Sequence, residues 1–258
     1  MLGVFDNQAD RKPPKSRSGL HAAPEALAAV HMADLTTLYG PAPVWVEAGE
    51  RVLSTDALSG IPALARQPPT RLMDPGPAER RACAYLRRGT VTLSANVDGG
   101  QGTVVTPARG PTRPEADFVN HRARTIAAEP EVTRWHCVAD HLHMHQSAGL
   151  GRLVAEHDKM PDDWGHKGKR GMLRSMSTRA AFLADPTHRI VFHSTPKQAS
   201  WMNQIAWWCR IVVRKLLKRA SFTSVEDLPA RVLAFVEYCN TTMAKPFQWT
   251  YGQKPLYV

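Results

Sequence analysis

Cysteine is scarce. The four residues, Cys83, Cys137, Cys209 and Cys239, are dispersed, form no C-x-x-C pair and sit in or beside apolar runs. A reduced thiol in that setting packs as a small hydrophobe, so no disulfide framework is expected and a reducing, cytoplasmic location fits. Long apolar runs are missing as well. No stretch approaches the roughly 18 residues that a membrane span needs, and the opening segment MLGVFDNQADRKPPKSRSG lacks the continuous apolar core of a secretion signal. A soluble, internal protein with no membrane partner is expected. Acidic residues are in deficit, 23 Asp and Glu against 33 Lys and Arg, which leaves a formal net charge of +10 and a pI of about 9.8. Such an imbalance attracts polyanions, nucleic acid first among them, although charge alone does not establish a partner. No internal repeat is visible, which removes solenoid and propeller architectures.

What is present suits a globular chain. With 43% hydrophobic and 22% charged residues, 258 positions can bury one substantial core. Residues 1–22 mix Asp, Arg, Lys, Pro, Ser and Gly without hydrophobic periodicity and are expected to form a disordered basic leader. Residues 23–50 read as one short helix, PEALAAVHMADLTTLYG, with proline in its first turn and glycine at its exit, followed by a linker. Residues 51–258 read as a single domain.

Within that domain, a β-prone run from Val52 to Thr55 ends at Asp56, and QPPTRLMDPGPAERRACAY reads as a long basic loop. GTVTLSANVD and GTVVTPARG, joined at Gly99-Gly100, predict a hairpin. RPEADFVNHRARTIAAEP predicts a helix, WHCVAD a strand ending at Asp140, SAGLGRLVAEHD a helix and HRIVFHST a strand. TPKQASWMNQIAWWCRIVVRKLLKR reads as a turn and a long helix, with Asn203, Ala206 and Arg210 on one face. In the last helix, SVEDLPARVLAFVEYCNTT, Ser224 and Asp227 stand at capping-box spacing.

Two aspartates, Asp56 and Asp140, each close a short strand. If those strands are neighbours, both carboxylates project from one sheet edge and can hold hard divalent cations. Two such ions, roughly 4 Å apart, activate a water or 3′-hydroxyl and stabilise the leaving oxygen in phosphoryl transfer. Taken singly, either aspartate could instead cap a turn through its own backbone.

The run HSTPKQASWMNQIAWWCRIVVRKLLKRASFTSVEDLPARVLAFVEYCNTTMAKPFQWTYGQKPL resembles the C-terminal part of the mariner-type insertion-sequence transposases of bacteria, members of the DDE group. GERVLSTDALSGIPAL, RRGTVTLSANVD, GPTRPEADFVNHRARTIA and VADHLHMHQS resemble successive upstream segments, so the likeness runs from about Leu35 to Leu256. It implies an α/β, RNase H-like fold: a mixed five-stranded sheet flanked by helices. It also implies DNA cleavage and strand transfer, Mg2+ or Mn2+ as the ion in intact relatives, element ends and target DNA as partners, a homo-oligomer or dimer, and no small-molecule substrate.

Residue by residue, Asp56 stands at the family's first carboxylate. Asp140 stands at the second, in a motif where His143 replaces asparagine, His145 is as expected and Gln146 replaces lysine. The third, the glutamate of S-W-L-N-Q-x-E, is reached through Ser200, Trp201, Met202, Asn203 and Gln204, and the residue there is Ala206. The resemblance therefore implies a degenerate site with doubtful ion binding. Arg210, one turn on, is expected to pair with Asp56 or Asp140. The family's N-terminal helix-turn-helix modules are not expected in the stretch before Asp56, whose length does not accommodate two of them.

Other features are weaker. His141, His143 and His145 alternate and offer a zinc alternative, though no fourth ligand is identified. Lys167, Lys169, Arg170 and Arg174, in a glycine-rich segment, together with Lys197, are the candidate DNA-backbone contacts. Trp201, Trp207, Trp208, Phe247, Trp249 and Tyr251 are expected to pack in the core rather than stack on bases.

Overall fold

A computed structural model describes residues 26–66, 85–110, 115–140, 146–161, 163–196 and 199–250. Five strands, β1 (Glu50–Arg66), β2 (Tyr85–Asp98), β3 (Val104–Gly110), β4 (Arg134–Ala139) and β5 (Ile190–Ser194), form one sheet in the order β3-β2-β1-β4-β5. β2 pairs antiparallel with both β1 and β3, β4 pairs parallel with β1, and β5 pairs parallel with β4. Among the described residues seven α-helices accompany them: α1 (Ala26–Tyr39), α2 (Ala42–Glu47), α3 (Glu115–Ala128), α4 (Ala148–His157), α5 (Met176–Leu183), α6 (Ile205–Val212) and α7 (Asp227–Thr242). This mixed α/β sheet, three strands plus two, is the RNase H-like arrangement.

Strand alternation divides the core. On one face, Val52 and Val138 meet Leu35, Leu38 and Tyr39 of α1 and Met202, while Leu93, Ala95 and Val97 meet Ile205, Trp208 and Val212 of α6 and Val232 and Val236 of α7. On the other, Leu53, Trp135, Cys137, Ile190 and Phe192 meet Phe118 and Ile126 of α3 and Leu150 and Val154 of α4. Every second residue of a strand belongs to one layer, so a side chain's layer follows from its register. Trp208 is buried and Trp201, Trp249 and Phe247 pack against these clusters, whereas Tyr251 lies outside the described residues.

The structure departs from the sequence reading in three places. β1 does not end at Asp56 but runs on to Arg66 against β2, because the Ser59-Gly60 turn signal is absorbed as a bulge between Leu58 and Ile61, where Gly60 adopts φ +64°. The linker before β1 contains the helix α2. The long helix after β5 is composite: a 3₁₀ turn at Ser200–Met202, then α6, then a π-turn over Val213–Leu217. The hairpin turn forms as expected, and Asp98 Oδ1 accepts the Gly100 N–H at 2.8 Å. At α7 the capping pattern shifts by one residue: Asp227 N–H donates to Ser224 Oγ (3.2 Å), and its carboxylate takes the Thr223 N–H (3.0 Å).

One core group has no evident counter-charge. Arg122 on α3 is 1% exposed, its guanidinium lies against the Cys137 thiol, a weak acceptor, and 5.4 Å from the Phe118 ring centre, and apart from that sulfur its three nitrogens have no hydrogen-bond acceptor among the described residues. Burying a cation without an anion costs more than apolar packing of the same volume. Arg122→Met is therefore expected to stabilise the fold by about 2 kcal/mol, read as a higher urea midpoint. A lower midpoint would mean that the guanidinium has a stabilising partner.

Candidate active site

Ser54 of β1 stands opposite Val138 of β4 in the parallel register. Two residues further along each chain come Asp56 and Asp140, so the acids stand at the same level of adjacent strands. By alternation both belong to the layer of Val52, Val138 and α6. Adjacent strands are separated by about 4.8 Å, a spacing at which carboxylates can share a cation. Asp140 lies just past the end of β4, as its sequence predicts; Asp56 lies within the long β1, just past the end of its pairing with β4. Asp56 Oδ1 accepts the Ala57 N–H at 2.6 Å, which turns one carboxylate oxygen toward the strand's own backbone.

The segment leading into α6 is fastened to β1 next to this acid. Asn203 is buried, and its Nδ2 donates to the Thr55 carbonyl at 2.9 Å. Further along α6, burial and then the nearby Asp56 carboxylate push the Cys209 thiol up to about 12. Residues 203 and 209 thus both reach the Asp56 region of β1. Position 206, midway between them, carries a half-buried methyl group.

Hard divalent ions require several oxygen ligands. Two carboxylates and a methyl do not complete such a set, and among the described residues no group of three His, Cys, Asp or Glu side chains could hold a metal ion. The side chains among the described residues do not make up a complete two-ion centre. Arg210 does not supply the expected pairing with Asp56 or Asp140. It is exposed, and its guanidinium lies 5.1 Å from the Trp207 ring centre, held by the adjacent aromatic face on the outer side of α6.

On the opposite side of β1, the residue before Asp56 is locked by a buried polar network. Thr55 Oγ1 donates to Asn96 Oδ1 (3.0 Å), and Asn96 Nδ2 donates to Thr125 Oγ1 (2.9 Å) and Thr106 Oγ1 (3.1 Å). His121 Nε2 donates to the Thr106 carbonyl at 2.6 Å, while its buried Nδ1 has no partner among the described residues. Burial, with the Arg122 cation beside it, lowers His121 to about 4, so the ring is neutral. Sequence reading missed this network because each member is an ordinary polar residue whose partners are distant in sequence.

The glycine-rich segment between α4 and α5 is ordered. His166 and Arg170 pair across a tight turn, and Gly165 adopts φ +88° where a Cβ would lie 2.1 Å from the Arg170 carbonyl. Met172 rests on Gly151 in α4, and Arg179 Nε donates to the Gln146 carbonyl at 2.8 Å, so the end of the segment lies by the start of α4, on the side where Asp140 emerges. Lys167, Lys169 and Arg174 are exposed, whereas Arg170 makes two 3.2 Å contacts to Asp163 and is partly neutralised. Lys197 and the His141, His143 and His145 series lie outside the described residues. No helix among the described residues is long and apolar enough to cross a membrane.

Residues 51–229 match the family model of the DDE superfamily endonuclease. The chain belongs to this family. Among solved structures, the DDE endonuclease chain is similar to the Mos1 mariner paired end complex with Mn, at 11% identity and TM-score 0.48, covering 91% of this chain and 62% of that one. It is also similar to the Mos1 transposase paired-end complex with left transposon end, at 12% identity and TM-score 0.47, covering 92% and 62%. A third likeness is to the Mos1 Strand Transfer Complex, at 12% identity and TM-score 0.47, covering 86% and 58%. The chain thus spans about 62% of the length of the first Mos1 chains it matches. No curated protein sequence matches it.

Proposed function

We propose that this DDE superfamily chain is the catalytic domain of a bacterial mariner-type insertion-sequence transposase, with residues 51–258 as the domain and element ends and target DNA as its substrates. Its cleavage is impaired because Ala206 stands at the position of the third carboxylate. What supports this reading is the residue at 206: an alanine midway between Asn203, which bonds to the Thr55 carbonyl beside Asp56, and Cys209, whose thiol feels the Asp56 carboxylate. In intact relatives a complete carboxylate set holds Mg2+ or Mn2+, which activates the attacking water or 3′-hydroxyl. Here Asp56 and Asp140 keep their relative placement, Asn203 keeps α6 against β1, and the cationic segment near Asp140 supplies a surface for phosphates. A cytoplasmic homo-oligomer or dimer is part of the proposal.

The incomplete donor set favours a second reading, a DNA-binding or oligomerisation remnant that no longer cuts. The two separate in an assay of Mg2+-dependent nicking of DNA carrying the element's ends. Weak nicking by the natural chain that Asp56→Asn abolishes supports the enzyme; DNA binding with no cutting supports the remnant; neither binding nor cutting defeats both.

DNA binding itself is expected to depend on Lys167, Lys169 and Arg174. Changing all three to alanine should flatten the slope of log Kd against log salt by about 2 to 3, near 0.9 per lost phosphate contact, in a fluorescence-anisotropy titration. An unchanged slope would take this segment off the DNA path.

A further inference from the structure

Tyr39, the last residue of α1, precedes the span that matches the family model, yet it reaches the centre of the site. Its side chain is fully buried. The phenol oxygen is 3.0 Å from Ser54 Oγ and lies beside the backbone of Gln204, close enough to feel its dipole, while the ring lies 4.8 Å from that of Trp249. Ser54 is two residues before Asp56 on the same sheet face, and Gln204 is two residues before position 206. One hydroxyl therefore bridges the strand and the helix whose separation sets the distance between positions 56 and 206.

The helix that delivers this hydroxyl is firmly seated. Leu35 and Leu38 are buried against Val52 and Val138. Asp34 adds a polar fastening through an unbroken chain: Asp34 Oδ2 to His193 Nδ1 (2.8 Å), His193 Nε2 to His136 Nδ1 (3.0 Å), and His136 Nε2 to Glu50 Oε2 (2.9 Å). This chain crosses from α1 over β5 and β4 to the start of β1, so α1 is docked at both ends of the stretch that holds the site.

We propose that Tyr39 is a positioning residue of the carboxylate site, acting through Ser54 and the Gln204 backbone to hold β1 and α6 at a fixed separation. Its consequence for metal binding rests on the transposase reading above; the bridge itself does not. Asn203 makes a parallel tie to Thr55, so loss of the hydroxyl loosens the pair without separating it.

The experiment compares Tyr39→Phe, which keeps the ring and removes the hydroxyl, with Leu38→Ala, which loosens the same helix and leaves the hydroxyl in place. In the 258-residue chain, amide hydrogen exchange at Ser54 to Ala57 and Gln204 to Ala206 should quicken by about tenfold in Tyr39→Phe, the scale of one buried hydrogen bond. It should stay within about twofold in Leu38→Ala at temperatures well below unfolding. In the Ala206→Glu background, Mn2+ affinity read by electron paramagnetic resonance should fall by a similar factor for Tyr39→Phe and not for Leu38→Ala. Unchanged exchange in Tyr39→Phe, or an equal change in Leu38→Ala, overturns the proposal. If the Ala206→Glu parent binds no Mn2+, the metal reading of the site falls, and the exchange measurement still decides the bridge.

Discussion

Replacing Ala206 with glutamate is expected to raise Mg2+-dependent nicking of DNA by at least about 10²-fold over the natural chain, the scale of restoring one catalytic electrostatic group. The expectation follows from where position 206 sits. Asn203 ties the start of the helix to the Thr55 carbonyl of β1, and Cys209, one turn past position 206, lies near enough to Asp56 to feel its charge. Position 206 is only half-buried, which leaves a longer side chain room to extend toward the acids. A glutamate there would add an anionic oxygen pair to the face that already carries Asp56 and Asp140, and each added carboxylate strengthens the hold on a hard cation. The comparison is internal to one protein, so differences in DNA affinity are controlled by measuring binding of both chains at the same salt. If the glutamate variant binds DNA as the natural chain does, binds Mn2+ no better and nicks no faster, position 206 does not face the ion site.

Acidification is expected to remove about 3 kcal/mol of folding stability between neutral pH and pH 4, with His121 the main source. Burial and the neighbouring Arg122 hold this histidine at about 4, against an ordinary value near 6.5. A depressed folded value means that the unfolded chain binds the proton first. The contribution is therefore present in full above about 6.5 and is lost as pH falls toward about 4. His136 acts in the same direction, since burial, opposed by its bond to Glu50, also lowers it. The measurement is the urea midpoint at pH 7.5 and at pH 4.5 for the natural chain and for His121→Gln. The natural chain should lose stability steeply over that interval, and the variant should show a shallower dependence from a lower starting point. Equal slopes for the two would show that His121 does not carry the effect.

Several features of the candidate site are legible in the sequence. Asp140 follows a compact apolar strand, and the helix after β5 bears Asn203, Ala206 and Arg210 at recognisable spacing. Both features are local, and local pattern is what sequence periodicity encodes. Asp56 was singled out for a partly mistaken reason: the strand was expected to stop there, whereas a bulge at Gly60 carries it ten residues further, to Arg66. A glycine in a turn and a glycine in a bulge look alike in sequence, and only pairing with β2 distinguishes them. Arg210 illustrates the opposite error. Helical spacing places it one turn from Ala206, but Trp207 holds its guanidinium on the outside of α6, a choice between two partners that spacing cannot make.

The sequence by itself determined the order of elements, the hairpin turn, the excess of positive charge and the chemical type present at positions 56, 140 and 206, because each depends on neighbours within a few residues or on chemical type. Tertiary structure alone decided that Asp56 and Asp140 share a level and a layer, that Thr55 rests on Asn96 and Asn203, and that Tyr39 joins β1 to α6. Those relations bring together residues separated by tens of positions or more. They follow from strand register and buried hydrogen bonds, which form only when distant segments pack and must satisfy each other's polar groups away from water.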